Sequence, residues 1–263
     1  MIDIHHHCLP GVDDGPRDLA EAVELCAMAA EEGIETIVAT PHVLRGRWRA
    51  FSRLELAAKL EELRAATNDT PHLILGCEYF FAHDMADALQ NGSVFPLASG
   101  PYVLLELASN SVPPMLEQPL YRAQLDGWVP VIAHPERNTV FQAHPELLAA
   151  FIGHGARVQL TATSLTGAFG EHARTAAETF LRRQLVHFVA TDAHNTTKRP
   201  PRVREALEVL RGIAGEAAAE ALTVGNPRSV VENRPLSWDP EPVEHAPAGF
   251  FTRLKSFFTS HQD

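Results

Sequence analysis

The chain has few cysteines, little positive charge and no long hydrophobic run. Three cysteines, Cys8, Cys26 and Cys77, are an odd number at low density, which excludes a disulfide framework and favours a reducing compartment. Acidic residues outnumber basic ones by 33 to 22, and the net charge of −11 opposes binding to a phosphate backbone, so nucleic acid is excluded as the main partner. The N-terminus has no basic region followed by an apolar stretch, so we expect a cytoplasmic protein without a membrane span.

Apolar, strand-like segments alternate with segments of helical periodicity along the chain. The pattern predicts strands at residues 1–5, 35–40, 72–75, 102–107, 128–133, 156–160 and 186–191. It predicts helices at residues 18–32, 52–66, 83–90, 114–126, 145–154, 171–184 and 202–213. These repeats indicate an α/β fold with a parallel, barrel-like sheet covered by helices, and six to eight strands are compatible with the pattern.

The C-terminal region differs in composition from the rest of the chain. Residues 235–248 are polar and rich in proline, which is typical of a linker. Beyond them, one face of a short amphipathic helix would carry Phe250, Phe251, Leu254, Phe257 and Phe258. We expect this helix to pack on its own domain or on a second copy in a homo-oligomer, with peripheral membrane contact as the alternative. The chain therefore divides into a domain at 1–234 and a C-terminal region at 235–263.

Residues that can bind a metal recur at or just after the predicted strands. His5 and His7 are two positions apart, so in a strand both imidazoles point to the same side. Glu106 lies within an apolar strand, where a carboxylate is costly to bury unless a cation accompanies it. Parallel strands of an α/β barrel direct their C-terminal ends at one mouth, so we expect a polynuclear metal site there. Its candidate ligands are His5, His7, Asp14, His42, Glu78, Glu106, His134, Asp192 and His194.

Clustered divalent ions favour phosphoester hydrolysis, because they activate water and hold the oxygens of a phosphoryl group. Such a group also needs cationic donors that are not metal ligands, and Arg137 and Arg199 are the best placed. A surface salt bridge is the alternative for Arg137, and a solvated loop is the alternative for Arg199. Arg47 belongs to a basic cluster that could contact the substrate, although an ordinary charged loop fits equally well. Glu136 and Asn195 are candidates for supporting the metal ligands.

Four motifs carry a family resemblance: HHHCLPGVDDG at residues 5–15, TPH at 40–42, HPER at 134–137 and TDAHN at 191–195. In combination they resemble the PHP (polymerase and histidinol phosphatase) superfamily. The match is strongest to its bacterial manganese-dependent protein tyrosine phosphatases of the CpsB/CapC type, from capsule and exopolysaccharide operons. The resemblance covers residues 1–233 and implies a distorted, TIM-like (β/α)7 barrel with three metal ions at the C-terminal ends of the strands.

The resemblance also implies a ligand set for each ion. The first set would be His5, His7, Glu78 and Asp192. The second would be Glu78, Glu106 and His134, with Glu78 bridging. The third would be Asp14, His42 and His194. Imidazole mixed with carboxylate suits manganese, iron or zinc, and the resemblance implies manganese. His6 departs from the family pattern, because a small residue is more usual there, and we expect it to point away from the metals.

A cysteine-dependent tyrosine phosphatase needs an arginine six positions after its nucleophilic cysteine, and this chain has none at those positions. Asp14, Glu32 and His83 stand there instead. We therefore expect hydrolysis of phosphotyrosine by metal-bound hydroxide, with a bacterial tyrosine autokinase as the substrate protein. One alternative is another phosphomonoesterase of the superfamily, such as a histidinol-phosphate phosphatase. A second alternative is a non-catalytic, metal-stabilised docking protein.

Overall fold

Parallel strands form the centre of the molecule in a computed structural model that describes residues 1–44, 46, 50–82 and 85–242. The strands found in these residues are β1 (Ile2–His6), β2 (Thr36–Ala39), β3 (His42–Val43), β4 (His72–Leu75), β5 (Glu78–Phe80), β6 (Tyr102–Glu106), β7 (Val129–Ala133), β8 (Arg157–Thr161) and β9 (Phe188–Ala190). They pair in the orders β1-β2-β4 and β3-β5-β6-β7-β8-β9, and every pairing is parallel. The expected α/β fold with a parallel sheet is confirmed.

The expected barrel is not fully closed, because strand pairing divides it into two sheets. The edge strand β1 pairs with the segment that follows β9 through an isolated bridge between His6 and Ala193. Two predicted strands, at residues 35–40 and 72–75, are found as β2 and β4, and each is followed after a short break by a strand that was not predicted, β3 and β5. Pro41, which lacks an N–H group, lies in the first break. Gly76 lies in the second, where a Cβ would come within 2.9 Å of Leu97 and Val38, so a side chain would not fit.

Helices follow most strands and cover the outside of the sheets. In the described residues they are α1 (Leu19–Glu31), α2 (Arg53–Thr67), α3 (Met85–Gln90), α4 (Glu117–Leu125), α5 (Thr139–Ala143), α6 (Pro145–Gly153), α7 (Glu171–Arg182), α8 (Arg204–Ala214), α9 (Glu216–Glu220) and α10 (Asn226–Val231). Asp18 caps α1 as predicted, because its side chain accepts a hydrogen bond from the backbone of Glu21. The sequence pattern missed α5, which is too short to show helical periodicity. It also missed α9 and α10, which are joined by a π-helical segment at Ala221–Gly225 that interrupts the α-helical repeat.

Apolar side chains separate into an inner and an outer cluster. The inner cluster includes Ile4, Val38, Leu104, Val131 and Phe188, contributed by five different strands. The outer cluster fills the space between the strands and the helices. The inner cluster therefore fills the interior below the ends of the strands, where the polar site lies.

A β-bulge in β1 sets the direction of the first two metal-ligand candidates. Asp3 pairs with Ile37 and His6 with Ala39, so β1 has one extra residue over this stretch. Before the bulge, Ile4 belongs to the inner cluster, and regular alternation would then have turned His5 outward. After the bulge, the register places His6 on the side of Ala39, and His5 and His7 on the opposite side. Because of the bulge, the apolar side chain of Ile4 and the imidazoles of His5 and His7 can all face the interior.

The start of the predicted linker packs on the domain. Trp238 contacts the outer cluster, and its backbone N–H donates to Asn226 at 2.9 Å. Asp239 lies 2.6 Å from the guanidinium of Arg157 and 3.3 Å from the imidazole of His187. The predicted amphipathic helix lies outside the described residues, so the division of the chain at residue 234 stays a prediction. No helix in the described ranges is long and apolar enough to cross a membrane.

Candidate metal centre and phosphate site

The structure brings all nine metal-ligand candidates together at the C-terminal ends of the strands. Seven of them are buried, His134 is partly exposed and Asp14 is exposed. Their nitrogen and oxygen atoms form four overlapping groups, and within each group these atoms lie within 4.8 Å of one another. The groups are His7, Asp14, His42 and His194; His5, His134 and Asp192; His5, His7 and Glu78; and His42, Glu78 and Glu106.

Two imidazoles and two carboxylates form the centre of this cluster. The Nε2 atoms of His5 and His7 lie 3.2 Å apart. Asp192 Oδ1 lies 3.3 Å from the first of these nitrogens and 3.4 Å from the second. Glu78 Oε1 lies 3.4 Å from His5 Nε2, and Glu78 Oε2 lies 3.4 Å from His7 Nε2. All four side chains therefore direct ligand atoms at a common region.

Glu78 extends this centre in two directions. Its Oε1 atom lies 3.1 Å from His134 Nε2, and its Oε2 atom lies 2.9 Å from His42 Nδ1. Glu106 Oε2 lies 3.7 Å from the same nitrogen of His42. On the other side of His42, Asp14 Oδ1 lies 3.5 Å from Nε2. Glu78 thus occupies a central place in the cluster, as expected of a bridging carboxylate.

The exposed end of the cluster contains Asp14 and His194. Asp14 Oδ1 lies 3.3 Å from His194 Nε2, and the imidazoles of His194 and His7 stack with centroids 3.8 Å apart. The expected set of Asp14, His42 and His194 is therefore found within one group. His134, in contrast, groups with His5 and Asp192, whereas Glu106 groups with Glu78 and His42. The assignment of ligands to individual ions stays a prediction.

The donor set fits divalent cations on two grounds. Mixed imidazole nitrogens and carboxylate oxygens suit manganese, iron or zinc. In addition, Glu78 Oε2 and His194 Nε2 are buried and make no hydrogen bond within the described part of the chain, although each lies close to other ligand atoms. Buried polar atoms normally make hydrogen bonds. Buried nitrogen and oxygen atoms that lie close together without hydrogen bonds therefore indicate a site for a cation.

Two polar residues, Asp13 and Gln159, orient histidines of the site. Neither was assigned to the site from the sequence. Asp13 Oδ2 lies 2.8 Å from His7 Nδ1 and also accepts the backbone N–H of His42 at 2.9 Å. Gln159 Oε1 lies 2.8 Å from His5 Nδ1. A partner on one ring nitrogen fixes the tautomer and leaves the other nitrogen for a metal. The available signals were an acidic pair at 13–14 and a polar residue within the apolar strand β8.

Both predicted arginines meet at the edge of the cluster. The guanidiniums of Arg137 and Arg199 both donate to Oδ2 of Asp192, whose other oxygen faces the histidines. Arg137 also donates to Thr161 Oγ1 at 2.7 Å. The ring of Phe169, which sequence reasoning did not single out, lies 4.2 Å from the guanidinium carbon of Arg137 and 5.9 Å from that of Arg199. The two guanidiniums therefore lie beside the metal-ligand candidates and contact one aromatic ring.

The loop carrying Arg199 is fixed by Asn195, one of the predicted supporting residues. Asn195 Oδ1 accepts the backbone N–H groups of Thr197, Lys198 and Arg199 at 3.2, 2.7 and 3.1 Å. Glu136, the other predicted supporting residue, is buried and accepts from Ser164 Oγ at 2.7 Å. Arg47, predicted to contact substrate, lies outside the described residues, as does His83.

Electrostatic interactions keep the central carboxylates ionised. Burial opposes charge on Asp192, but Arg137 and His5 hold its pKa well below the ordinary range. Burial likewise opposes charge on Glu78, and His5 and His42 hold the pKa of that carboxyl well below its usual value. In contrast, burial lowers the pKa of His134 to about 4, and Arg137 adds to this shift. Burial opposes charge on His5 and His7 too, but Asp192 and Asp13 raise the pKa of these imidazoles, which would release protons on binding a cation. Anionic carboxylates and neutral imidazoles are the forms that bind metal.

The family model for "Capsular polysaccharide synthesis, CpsB/CapC" matches residues 1–232. The chain belongs to the CpsB/CapC family. Relatives include the tyrosine-protein phosphatase YwqE of Bacillus subtilis, which is 36% identical over 95% of this chain and 100% of its own length. The tyrosine-protein phosphatase CpsB of Streptococcus pneumoniae is 30% identical over 88% of this chain and 98% of its own length.

Solved structures agree with this membership. A crystal structure described as one of "unique metal-dependent tyrosine phosphatases", from work on YwqE of B. subtilis and CpsB of S. pneumoniae, superimposes with a TM-score of 0.87 at 35% identity. The match covers 93% of this CpsB/CapC chain and 100% of the solved one. A mutant organophosphorus hydrolase superimposes with a TM-score of 0.54 at 15% identity, over 88% of this chain and 92% of its own, which indicates a shared fold alone.

Proposed function

We propose that this chain is a metal-dependent protein tyrosine phosphatase that hydrolyses phosphotyrosine in a protein substrate. The main support for this proposal is that the guanidiniums of Arg137 and Arg199 both bind Asp192 beside a cluster of nine metal-ligand candidates. Membership in a family whose relatives are named tyrosine-protein phosphatases supports the same activity. The PHP metallophosphatase domain would span residues 1–234, as the sequence predicts.

The cofactor we propose is a set of three divalent ions, with manganese as the metal and iron or zinc as alternatives. The nine clustered residues would hold them, with Glu78 central. Bound divalent cations would supply activation of water at neutral pH and neutralisation of phosphoryl charge. Asp13 and Gln159 would keep Nε2 of His7 and His5 available, because each occupies the other ring nitrogen.

Arg137 and Arg199 would bind the phosphoryl oxygens. A guanidinium presents several N–H donors in a plane, so each arginine can keep its bond to Asp192 while other donors take up phosphate oxygens. Phe169 would restrict the motion of both guanidiniums through stacking. Holding the phosphate in place before reaction lowers the entropic part of the barrier.

A small cavity of about 150 Å³ next to Arg137 would receive the aromatic ring of phosphotyrosine. Its wall includes the metal-ligand candidates Glu106 and His134 together with the apolar side chains of Leu107 and Phe141. This combination of a polar end and an apolar wall fits an aryl phosphate, in which a charged phosphate is attached directly to an aromatic ring.

The family description, which refers to capsular polysaccharide synthesis, supports a substrate protein in that system. We propose a bacterial tyrosine autokinase as this substrate and the cytoplasm as the place of reaction. The predicted C-terminal helix would add a contact with the domain, a second copy of the chain or the membrane surface.

Release of phosphate from a phosphotyrosine peptide by the manganese-loaded protein tests the proposal. A His134→Ala variant should lose about a hundredfold or more in kcat/KM, since groups that only orient a metal ligand already contribute 10–100-fold. His172→Ala, on the exposed surface of α7, is the matched control and should keep wild-type activity. Absence of phosphate release, or full activity of His134→Ala, would contradict the proposal. Faster turnover of histidinol phosphate than of phosphopeptides would favour the alternative phosphomonoesterase.

A further inference from the structure

A larger cavity of about 550 Å³ opens beside the phosphate-binding arginines. Its volume lies within the roughly 300–1,000 Å³ range of ligand-binding pockets. Arg199 and Phe169 belong to its wall and also belong to the site described above. The cavity therefore adjoins the place where we expect the phosphoryl group, and a peptide bound there would have space for the residues next to its phosphotyrosine.

Among the charged side chains in the wall of this cavity, cations outnumber carboxylates. Four cations face two carboxylates: Lys198, Arg199, Arg202 and Arg204 against Glu32 and Glu205. Glu32 is already engaged, because its Oε2 atom accepts the backbone N–H groups of Val203 and Arg204 at 2.9 and 3.0 Å. Lys198 and Arg202 are exposed and, among the described residues, neither lies within ion-pair distance of a carboxylate. These two side chains are available for an acidic ligand.

The rest of the protein is acidic, so this local excess of cations would attract acidic peptides to one place on the surface. With a net charge of −11, the molecule as a whole repels acidic peptides. A basic wall next to the phosphate site reverses this repulsion at one place and directs acidic segments to it. Threonine hydroxyls from Thr163 and Thr166 add polar groups to the same wall.

We propose that this cavity binds acidic residues flanking the phosphotyrosine, and that Lys198 and Arg202 select for them. The proposal rests on the proposed phosphatase function and adds a substrate preference to it. Neither residue is placed in the catalytic machinery, so hydrolysis of a small aryl phosphate should not depend on them.

The test compares two phosphotyrosine peptides that differ only in having glutamate or glutamine at the flanking positions, together with p-nitrophenyl phosphate. For the wild-type protein, kcat/KM should be about threefold to tenfold higher for the glutamate peptide, as two exposed ion pairs would give. In Lys198→Ala/Arg202→Ala this ratio should fall to about one, while p-nitrophenyl phosphate turnover stays unchanged. Lys198→Glu/Arg202→Glu should reverse the preference.

Arg182→Ala/Arg228→Ala is the matched control, because it removes the same charge from exposed positions outside the cavity wall. It should keep the wild-type preference, and thermal melting should show that both double variants remain folded. Equal rates for the two peptides in wild type, or an unchanged ratio in Lys198→Ala/Arg202→Ala, would overturn the cavity proposal alone. If the wild-type protein hydrolyses none of the three substrates, the phosphatase proposal is overturned, and the proposed preference for acidic peptides with it.

Discussion

Replacement of Asp13 by asparagine should weaken metal binding without removing any proposed ligand. The carboxylate accepts from His7 and from the backbone N–H of His42 through Oδ2, at 2.8 and 2.9 Å, and from the backbone N–H of Gly15 through Oδ1, at 2.9 Å. Asparagine has one oxygen and one NH2 group. Whichever way the amide turns, its NH2 group faces an N–H donor at one of these positions, so at least one of the three hydrogen bonds is lost.

The magnitude of this effect follows from the lost contacts. A hydrogen bond to a charged group contributes about 1.5–3 kcal/mol, and about 1.4 kcal/mol corresponds to a factor of ten. The dissociation constant for Mn²⁺ should therefore rise about 10–100-fold in Asp13→Asn. This range agrees with the effect of residues that orient metal ligands in other proteins.

Competition between the protein and a chelating dye measures this affinity directly. Asp18→Asn is the matched control, because it removes one negative charge from the same loop and leaves a good helix N-cap on α1. We expect wild-type affinity for Asp18→Asn and recovery of Asp13→Asn activity at high Mn²⁺. Equal Mn²⁺ affinities for Asp13→Asn and wild type would refute the role assigned to Asp13.

Three further predictions concern metal, thiols and pH. A strong chelator should abolish activity and lower the melting temperature by roughly 5–10 °C, because one site saturated at a hundredfold its Kd already contributes about 2.7 kcal/mol; calorimetry with and without metal checks this. Iodoacetamide should leave aryl phosphatase activity unchanged, since all three cysteines, Cys8, Cys26 and Cys77, are buried and burial raises the pKa of Cys77 to about 12. Burial lowers the pKa of His187 below its ordinary 6.5, and its Nδ1 accepts the N–H of Val158 in the folded protein. The unfolded chain therefore binds more protons below about pH 6.5, so the free energy of unfolding should fall as the pH drops through this window. In metal-free protein, His187→Gln should lose less stability between pH 7 and pH 5 than wild type, and an equal loss measured by urea unfolding would count against this assignment.

The sequence was sufficient to predict the nine clustered candidates because strand ends of a parallel sheet converge regardless of their separation along the chain. Glu106 illustrates this, since a carboxylate in an apolar strand already requires a partner. Arg137 and Arg199 were predicted as cations that closely follow the ligand candidates His134 and His194 along the chain.

Other features depended on register and three-dimensional pairing, which a single sequence does not reveal. The bulge in β1 adds one residue to the pairing with β2, and only the observed register identifies it. Gln159 faces His5 because β8 turns its odd-numbered residues inward, and Phe169 reaches both arginines from the segment between β8 and α7. The strands β3 and β5 are too short to show periodicity, and the π-helical segment between α9 and α10 interrupts the helical repeat there.

Phosphotyrosine hydrolysis should require clustered divalent ions held by these residues. This requirement can be tested by titrating chelator-stripped protein with Mn²⁺ while bound metal and phosphotyrosine turnover are measured on the same samples. We predict no turnover in stripped protein, a rise in turnover that parallels bound Mn²⁺, and neither metal binding nor turnover at the same Mn²⁺ concentrations in Glu78→Gln. Full turnover by stripped protein, or wild-type turnover by Glu78→Gln, would contradict this requirement.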